Sequence, residues 1–300
     1  MSTSHDTRVA RLAAEPLRVT GPQPGVASGF VAQVKDLWAH RELLDLLIRR
    51  ELKARYKDST LGFVWSLLRP LTLLLIYAIA IGQFLGAARQ IPEFAIFIYA
   101  GLTIWNLFTE TVTSGTASIV GNSGLIKKVY LPREVFPLAG LGSALFNFAV
   151  QLLLLVVATL IIGDPPTGER WLYFPATLAV TVVWGLAWAL LLAAVNVYLR
   201  DVQYLVEVAV MVFFWVSPIV YSWGLVQPRL DGWLEDLYLA NPMALAVMGF
   251  QKVFWVAGDG QPVPENLLTR LGIAFLVGVV FTFVAQRVFA RLQGNFAQEL

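Results

Sequence analysis

Four stretches of this chain contain no Asp, Glu, Lys or Arg: Pro70–Ala88 (19 residues), Val135–Gly163 (29), Trp171–Leu199 (29) and Val208–Pro228 (21). A helix needs about 20 apolar residues to cross a hydrocarbon layer about 30 Å thick. A soluble core in a 300-residue chain could not hide four such runs. The charged fraction is 14%, against roughly 25% in an average soluble domain. The chain reads as an all-α integral membrane protein.

Six transmembrane helices fit the pattern, at 65–86, 94–115, 135–162, 171–199, 208–227 and 267–289. The two 29-residue runs are too short for two crossings each and read as long or tilted single spans. The second and sixth have uncharged cores of 16 residues, Phe94–Thr109 and Leu271–Gln286, so Glu110, Arg270 and Arg287 must reach toward an interface. With the N-terminus inside, 17 Lys/Arg fall on inner segments and 5 on outer ones. That bias predicts a multi-pass protein of the inner (plasma) membrane with both termini cytoplasmic. The first 30 residues lack an apolar signal-peptide core, and Pro16, Gly21, Pro22, Pro24, Gly25 and Gly29 make 1–34 read as a flexible cytoplasmic tail. Residues 35–64 form an interface or gate region, and 65–300 the six-span domain.

Several chemistries are excluded. There is no cysteine, and His5 and His40 both precede the first span, so no catalytic or metal-binding residue is assigned. A net charge of +2 is too small to suggest nucleic-acid binding. Polar groups within spans are few, among them Asn106, Glu110, Asn147, Gln151 and Asn196; they form no acidic relay of the kind ion-coupled transport uses. No internal repeat is evident, which argues against a repeat-built secondary transporter. Asp231, Glu235 and Asp236 cluster in an outer loop, without further support for a two-carboxylate glycosidase. No G-x-x-x-x-G-K-[ST] sequence occurs, so this chain itself binds no nucleotide cofactor.

From Lys35 to Asp58 the periodicity is helical. Leu37, Leu43, Leu44, Leu47 and Ile48 share one side; Lys35, Glu42, Arg49, Arg50, Lys53 and Lys57 take the other. This predicts an amphipathic helix with its apolar face in the lipid boundary. Two readings stand: an anchor obeying the positive-inside rule, or a basic cluster for a phosphate-bearing substrate or a partner protein. Residues 121–137, GNSGLIKKVYLPREVFP, predict a short helix between Gly124 and Pro132 with an apolar edge (Leu125, Ile126, Val129) and a charged one (Lys127, Lys128). An ordinary inner loop would look similar. Between spans five and six, an apolar piece at about 237–257 is interrupted by Asn241-Pro242 and Gly249. A seventh crossing would strand Arg287 and Arg291 outside, so two short re-entrant helices fit better.

The stretch RRELKARYKDSTLGFVWSLLRP at 49–70 is specific. Its basic run through Arg55-Tyr56-Lys57, followed by Ser59, Leu61-Gly62, Trp65 and Pro70, resembles the segment leading into the first span of ABC-2 type polysaccharide export permeases (the Wzm and teichoic-acid permease families). Within them it is similar to the mycobacterial-type galactan exporters. The resemblance runs from about residue 35 to the C-terminus. It implies a non-enzymatic transport subunit paired with a second copy of itself and with two copies of a separate ABC ATPase that binds ATP and Mg. The implied cargo is a lipid-linked glycan, galactan or O-antigen-like, on polyprenyl diphosphate.

The resemblance implies a coupling helix at about 121–134, with Leu125, Ile126, Lys127, Lys128, Tyr130, Arg133 and Glu134 facing the ATPase. It makes Arg49, Arg50, Lys53, Arg55, Tyr56 and Lys57 candidates for the lipid diphosphate or the interface helix. Most aromatics belong to interfacial belts, but Tyr99, Trp105, Phe108, Phe214, Trp215, Tyr221 and Trp223 are candidates to line a sugar path. A permease for a drug or small lipid is the alternative; an intramembrane enzyme or a purely structural protein fits less well.

Overall fold

In the computed structural model the described residues are 38–39, 41–56, 64–84, 86–128 and 131–300. Every regular element among them is helical. Helix α1 (Arg41–Tyr56) precedes α2 (Val64–Tyr77), which contains Pro70 and runs into one π-helical stretch, Ala78–Phe84. Helix α3 (Phe94–Gly121) is followed by the single turn α4 (Ser123–Ile126) and then α5 (Val135–Ile162). Helices α6 (Tyr173–Tyr198) and α7 (Val202–Val216) lead to α8 (Trp223–Val226), α9 (Trp233–Leu239) and α10 (Pro242–Phe254). The chain closes with α11 (Leu267–Leu292) and α12 (Phe296–Glu299).

Four segments are long and apolar enough to cross a membrane: Phe94–Gly121, Val135–Ile162, Gly168–Tyr198 and Leu267–Glu299. They coincide with the second, third, fourth and sixth expected spans. The first and fifth expected spans hold the shorter apolar helices Pro70–Phe84 and Val202–Val216. The helix expected over 208–227 stops early for a local reason. Pro218 has no N–H to continue a helical ladder, and Ser217 before it is extended, with ψ 143°.

Helix α3 packs against α2, α5, α6, α7 and α10, and small residues bring it closest to α5 and α6. A Cβ added to Gly115 would lie 2.4 Å from the Ala189 Cβ on α6. One added to Gly140 of α5 would lie 2.6 Å from the Ser114 hydroxyl of α3. Backbones approach this closely only where side chains are small, which is how helices associate when lipid competes equally for apolar surface. Helix α11 joins α6 through two side-chain-to-backbone bonds. The Trp184 indole N–H donates to the Ala274 carbonyl at 2.9 Å, and the Thr282 hydroxyl to that of Val183 at 3.0 Å.

The apolar face of α1 meets protein rather than the lipid expected from its periodicity. Leu47 is buried, Leu43 and Leu44 pack on the cluster built from Ile119, Phe136, Ala193 and Phe289, and Ile48 fills the space above Gly142 of α5. An amphipathic pattern specifies an apolar neighbour but not which one.

Candidate functional site

At the end of the bundle where α1, α4 and the C-terminus meet, some basic side chains stand exposed and others are engaged. Helix α4 is held by backbone bonds from Leu125 and Ile126 to the Asn122 carbonyl, and Ile126 is buried beneath it. Leu125 is half-buried, while Lys127 and Lys128 stand exposed just after the turn. Arg133 lies over the Phe296 ring, 5.6 Å from its centroid, and buried Glu134 accepts from the Gln293 amide at 3.3 Å. The last two candidates of this segment therefore fasten the C-terminal tail to the start of α5. Val129 and Tyr130 lie outside the described residues.

On α1, Arg49 pairs with Asp45 one turn earlier at 2.8 Å, and Arg50 donates to the Asn122 side-chain oxygen. Lys53 is exposed. Arg55 and Tyr56 fall in the last turn of α1, and Lys57 lies outside the described residues. The Arg50–Asn122 bond ties the basic helix to the joint between α3 and α4. This tie joins residues 72 apart, so no sequence spacing announces it.

Six of the seven candidate aromatics fall into two groups. Trp105 meets Phe108 (centroids 5.7 Å) and Phe214 (6.0 Å); Phe214 in turn meets Trp215 (5.5 Å) and Tyr77 (6.0 Å). Trp223 packs on Tyr238 at 5.5 Å, and the Tyr221 and Tyr238 hydroxyls lie 3.3 Å apart. Tyr99 stands apart, buried in the core of α3. Trp105 and Phe108 also line a cavity of about 840 Å³ between α3, α6, α7 and the α9–α10 segment, walled further by Val206, Phe213, Leu237 and Met243. Its walls suit hydrocarbon and offer few polar partners.

The break after α7 is pinned from several sides. The Gln251 amide, buried on α10, donates to the Pro218 carbonyl at 3.0 Å. Asn241 caps α10 by accepting from the Met243 N–H at 3.0 Å and reaches the Ser217 hydroxyl at 3.4 Å. The Tyr221 hydroxyl donates to the Trp215 carbonyl at 2.8 Å. Gly101 leaves room for Ile219 against α3, where a Cβ would lie 3.3 Å from the Ile219 side chain.

Polar pairs also join α3 to α5. The Asn106 amide donates to Gln151 at 3.0 Å, and the Asn147 amide to the Glu110 carboxyl at 2.6 Å. Each set repeats at four residues, so the two rungs stack on adjoining faces. The sequence showed these polar residues but not their pairing.

At the opposite end, Arg170 and Lys252 both reach Asp259, Lys252 at 3.0 Å, and Arg170 also donates to the Lys252 carbonyl at 2.9 Å. Burial pushes the Asp259 carboxyl up, but the hydrogen bonds and charges of Lys252 and Arg170 outweigh it and hold the group below its ordinary range. Glu93 moves the other way: burial, and then the neighbouring Asp164 carboxylate, raise it. Among the described residues no group of three or more His, Cys, Asp or Glu could hold a metal.

Four apolar helices of spanning length, two of them joined by paired polar side chains, define a polytopic membrane protein. The chain belongs to the ABC-2 type transporter family, which matches residues 42–255. It is 32% identical over 273 residues to the O-antigen export system permease protein RfbA of Myxococcus xanthus, covering 90% of this chain and 100% of that one. A Klebsiella pneumoniae protein of the same name is 26% identical over 260 residues, 86% of this chain and 95% of its own. The polysialic acid transport protein KpsM of Escherichia coli is 27% identical over 166 residues, 55% of this chain and 57% of its own.

Proposed function

We propose that this chain is the membrane subunit of an ATP-driven exporter. Its cargo is a polysaccharide, galactan or O-antigen-like, carried on polyprenyl diphosphate from the cytoplasmic to the outer side of the inner membrane. The observation that carries this reading is the end-to-end likeness to an O-antigen export permease, with 90% of this chain and 100% of the relative aligned. In this arrangement two copies of the chain pair with two copies of a separate ABC ATPase that supplies ATP and Mg. Helices α2, α3, α5, α6, α7 and α11 make six crossings, both termini are cytoplasmic, and α9–α10 dips back into the membrane from outside.

The exposed Lys127–Lys128 pair beside buried Ile126 is suited to carry ATPase closure into α3 and α5, because a packed turn moves as a unit. Arg49, Arg50 and Lys53 on α1 are suited to hold the diphosphate at the inner leaflet, since guanidinium groups match phosphate oxygens bidentately. Trp105, Phe108, Phe214 and Trp215 supply aromatic faces along the path. A small-lipid or drug permease is the second reading, favoured by the apolar 840 Å³ cavity.

Depletion of the protein followed by analysis of cytoplasmic-leaflet lipids separates the two. Accumulation of a polyprenyl-linked glycan supports the glycan exporter. Accumulation of a small lipid without it overturns that reading.

A further inference from the structure

Helix α3 changes character at its middle. Every residue from Ile96 to Trp105 is buried. Beyond Trp105 one face opens: Asn106, Thr109, Glu110, Thr113 and Ala117, spaced by three and four, are half-buried. This stripe covers about 16 Å of helix and contains no large apolar side chain. Elsewhere, apart from Gln203 and Glu207 in the first turns of α7, large apolar side chains dominate the open surfaces of these helices, with Leu153 of α5 64% exposed, Leu205 of α7 67% and Leu276 of α11 65%. Those surfaces suit lipid; an open amide, hydroxyl or carboxyl on a spanning helix must meet protein or water.

The stripe is built for more than helix pairing. Beside it on α5 lie Asn147 and Gln151, which make the two rungs, and two buried hydroxyls behind it, Thr109 Oγ1 and Ser143 Oγ, have no hydrogen-bond partner among the described residues. The last stripe residue, Ala117, lies about one turn before the end of α3, the end where Arg50 of α1 reaches Asn122. Amides, hydroxyls and one carboxyl thus follow one another from the centre of α3 toward its C-terminal end.

We propose that this stripe is the wall of a water-filled vestibule, open at the basic end, that takes a polyhydroxylated, uncharged chain by hydrogen bonds. It deepens the exporter reading and rests on it for the cargo. Amide and hydroxyl groups exchange hydrogen bonds with sugar hydroxyls as readily as with water, so a sugar chain moves past them without being trapped. The Glu110 carboxyl in the wall selects against polyanionic chains.

The chain has no cysteine, so single substitutions can be tested directly. Ala117→Cys and Thr113→Cys, with Leu153→Cys as the lipid-facing control, are placed in the full transporter in inside-out vesicles. Each is treated with charged methanethiosulfonates, where the thiolate attacks the reagent's sulfenyl sulfur, forms a disulfide and releases methanesulfinate. Thiolate formation needs water, so both stripe positions react at least about tenfold faster than the control. At Thr113→Cys the cationic reagent outpaces the anionic one relative to their ratio on a free thiol, and adding Glu110→Gln removes the preference. Rates at both stripe positions no faster than at Leu153→Cys overturn the vestibule, and a charge preference unchanged by Glu110→Gln overturns the selection against polyanions. Neither result touches the cargo, which the depletion experiment reads separately.

Discussion

The contact between α3 and α6 predicts opposite outcomes for the same substitution at two glycines. In Gly115→Ala the new Cβ would lie 2.4 Å from the Ala189 Cβ and 3.0 Å from its Cα. The obstacle is a helix backbone, so relief requires the two helices to separate. Overpacking of this kind costs about 1–3 kcal/mol; the middle of that range, about 2 kcal/mol, shifts the folded-to-unfolded ratio roughly thirtyfold. In Gly272→Ala on α11 the new methyl meets nothing within 4 Å. There the gain in helix propensity stabilises by about 0.5–1 kcal/mol. Reversible unfolding of the purified protein in mixed micelles measures both. Combining Gly115→Ala with Ala189→Gly removes the closer contact and should restore much of the loss. Equal stability of Gly115→Ala and the parent protein, or equal losses at both glycines, would refute the assigned closeness of α3 and α6.

Three further outcomes are expected. Lys127→Ala with Lys128→Ala leaves the thermal stability of the isolated subunit unchanged and abolishes co-purification of the ATPase; retained association removes α4 as the coupling element. Asn241→Ala loses the α10 cap and costs about 1 kcal/mol, read in the same micelle assay; no loss would mean the cap contributes nothing. The Asp259 carboxyl is held low, so its stabilisation is present above its unfolded value near about 4 and fades as pH falls through the lower folded value. Glu93 is raised, so its ionised form penalises the fold at neutral pH. Asp259→Asn therefore lowers the melting temperature at pH 7 and Glu93→Gln raises it, both effects shrinking in acid; the reverse signs would overturn the two assignments.

Chemistry that repeats along one helix was legible in the sequence. Uncharged runs identified α3, α5, α6 and α11, and Asn241-Pro242 marked the turn between α9 and α10. The span expected over 208–227 ends instead at Ser217-Pro218, because Pro218 cannot donate and the Gln251 amide takes its carbonyl. Pairings between distant segments were not legible. Nothing near Gly115 names Ala189, and nothing near Arg170 names Asp259. Glu110, read from sequence as a group reaching toward the interface, is bonded by Asn147. Arg133 and Glu134 look like their exposed lysine neighbours in a string of letters, yet the C-terminal segment covers both.

The stitched junction after α7 has a mechanical meaning. Bonds from α10 grip Ser217 and Pro218, so a tilt of α7 drags Gln251 and Asn241 along with it. A push at the Val202 end of α7 would therefore be expected to reach the far surface through α10 as well as through the helix itself.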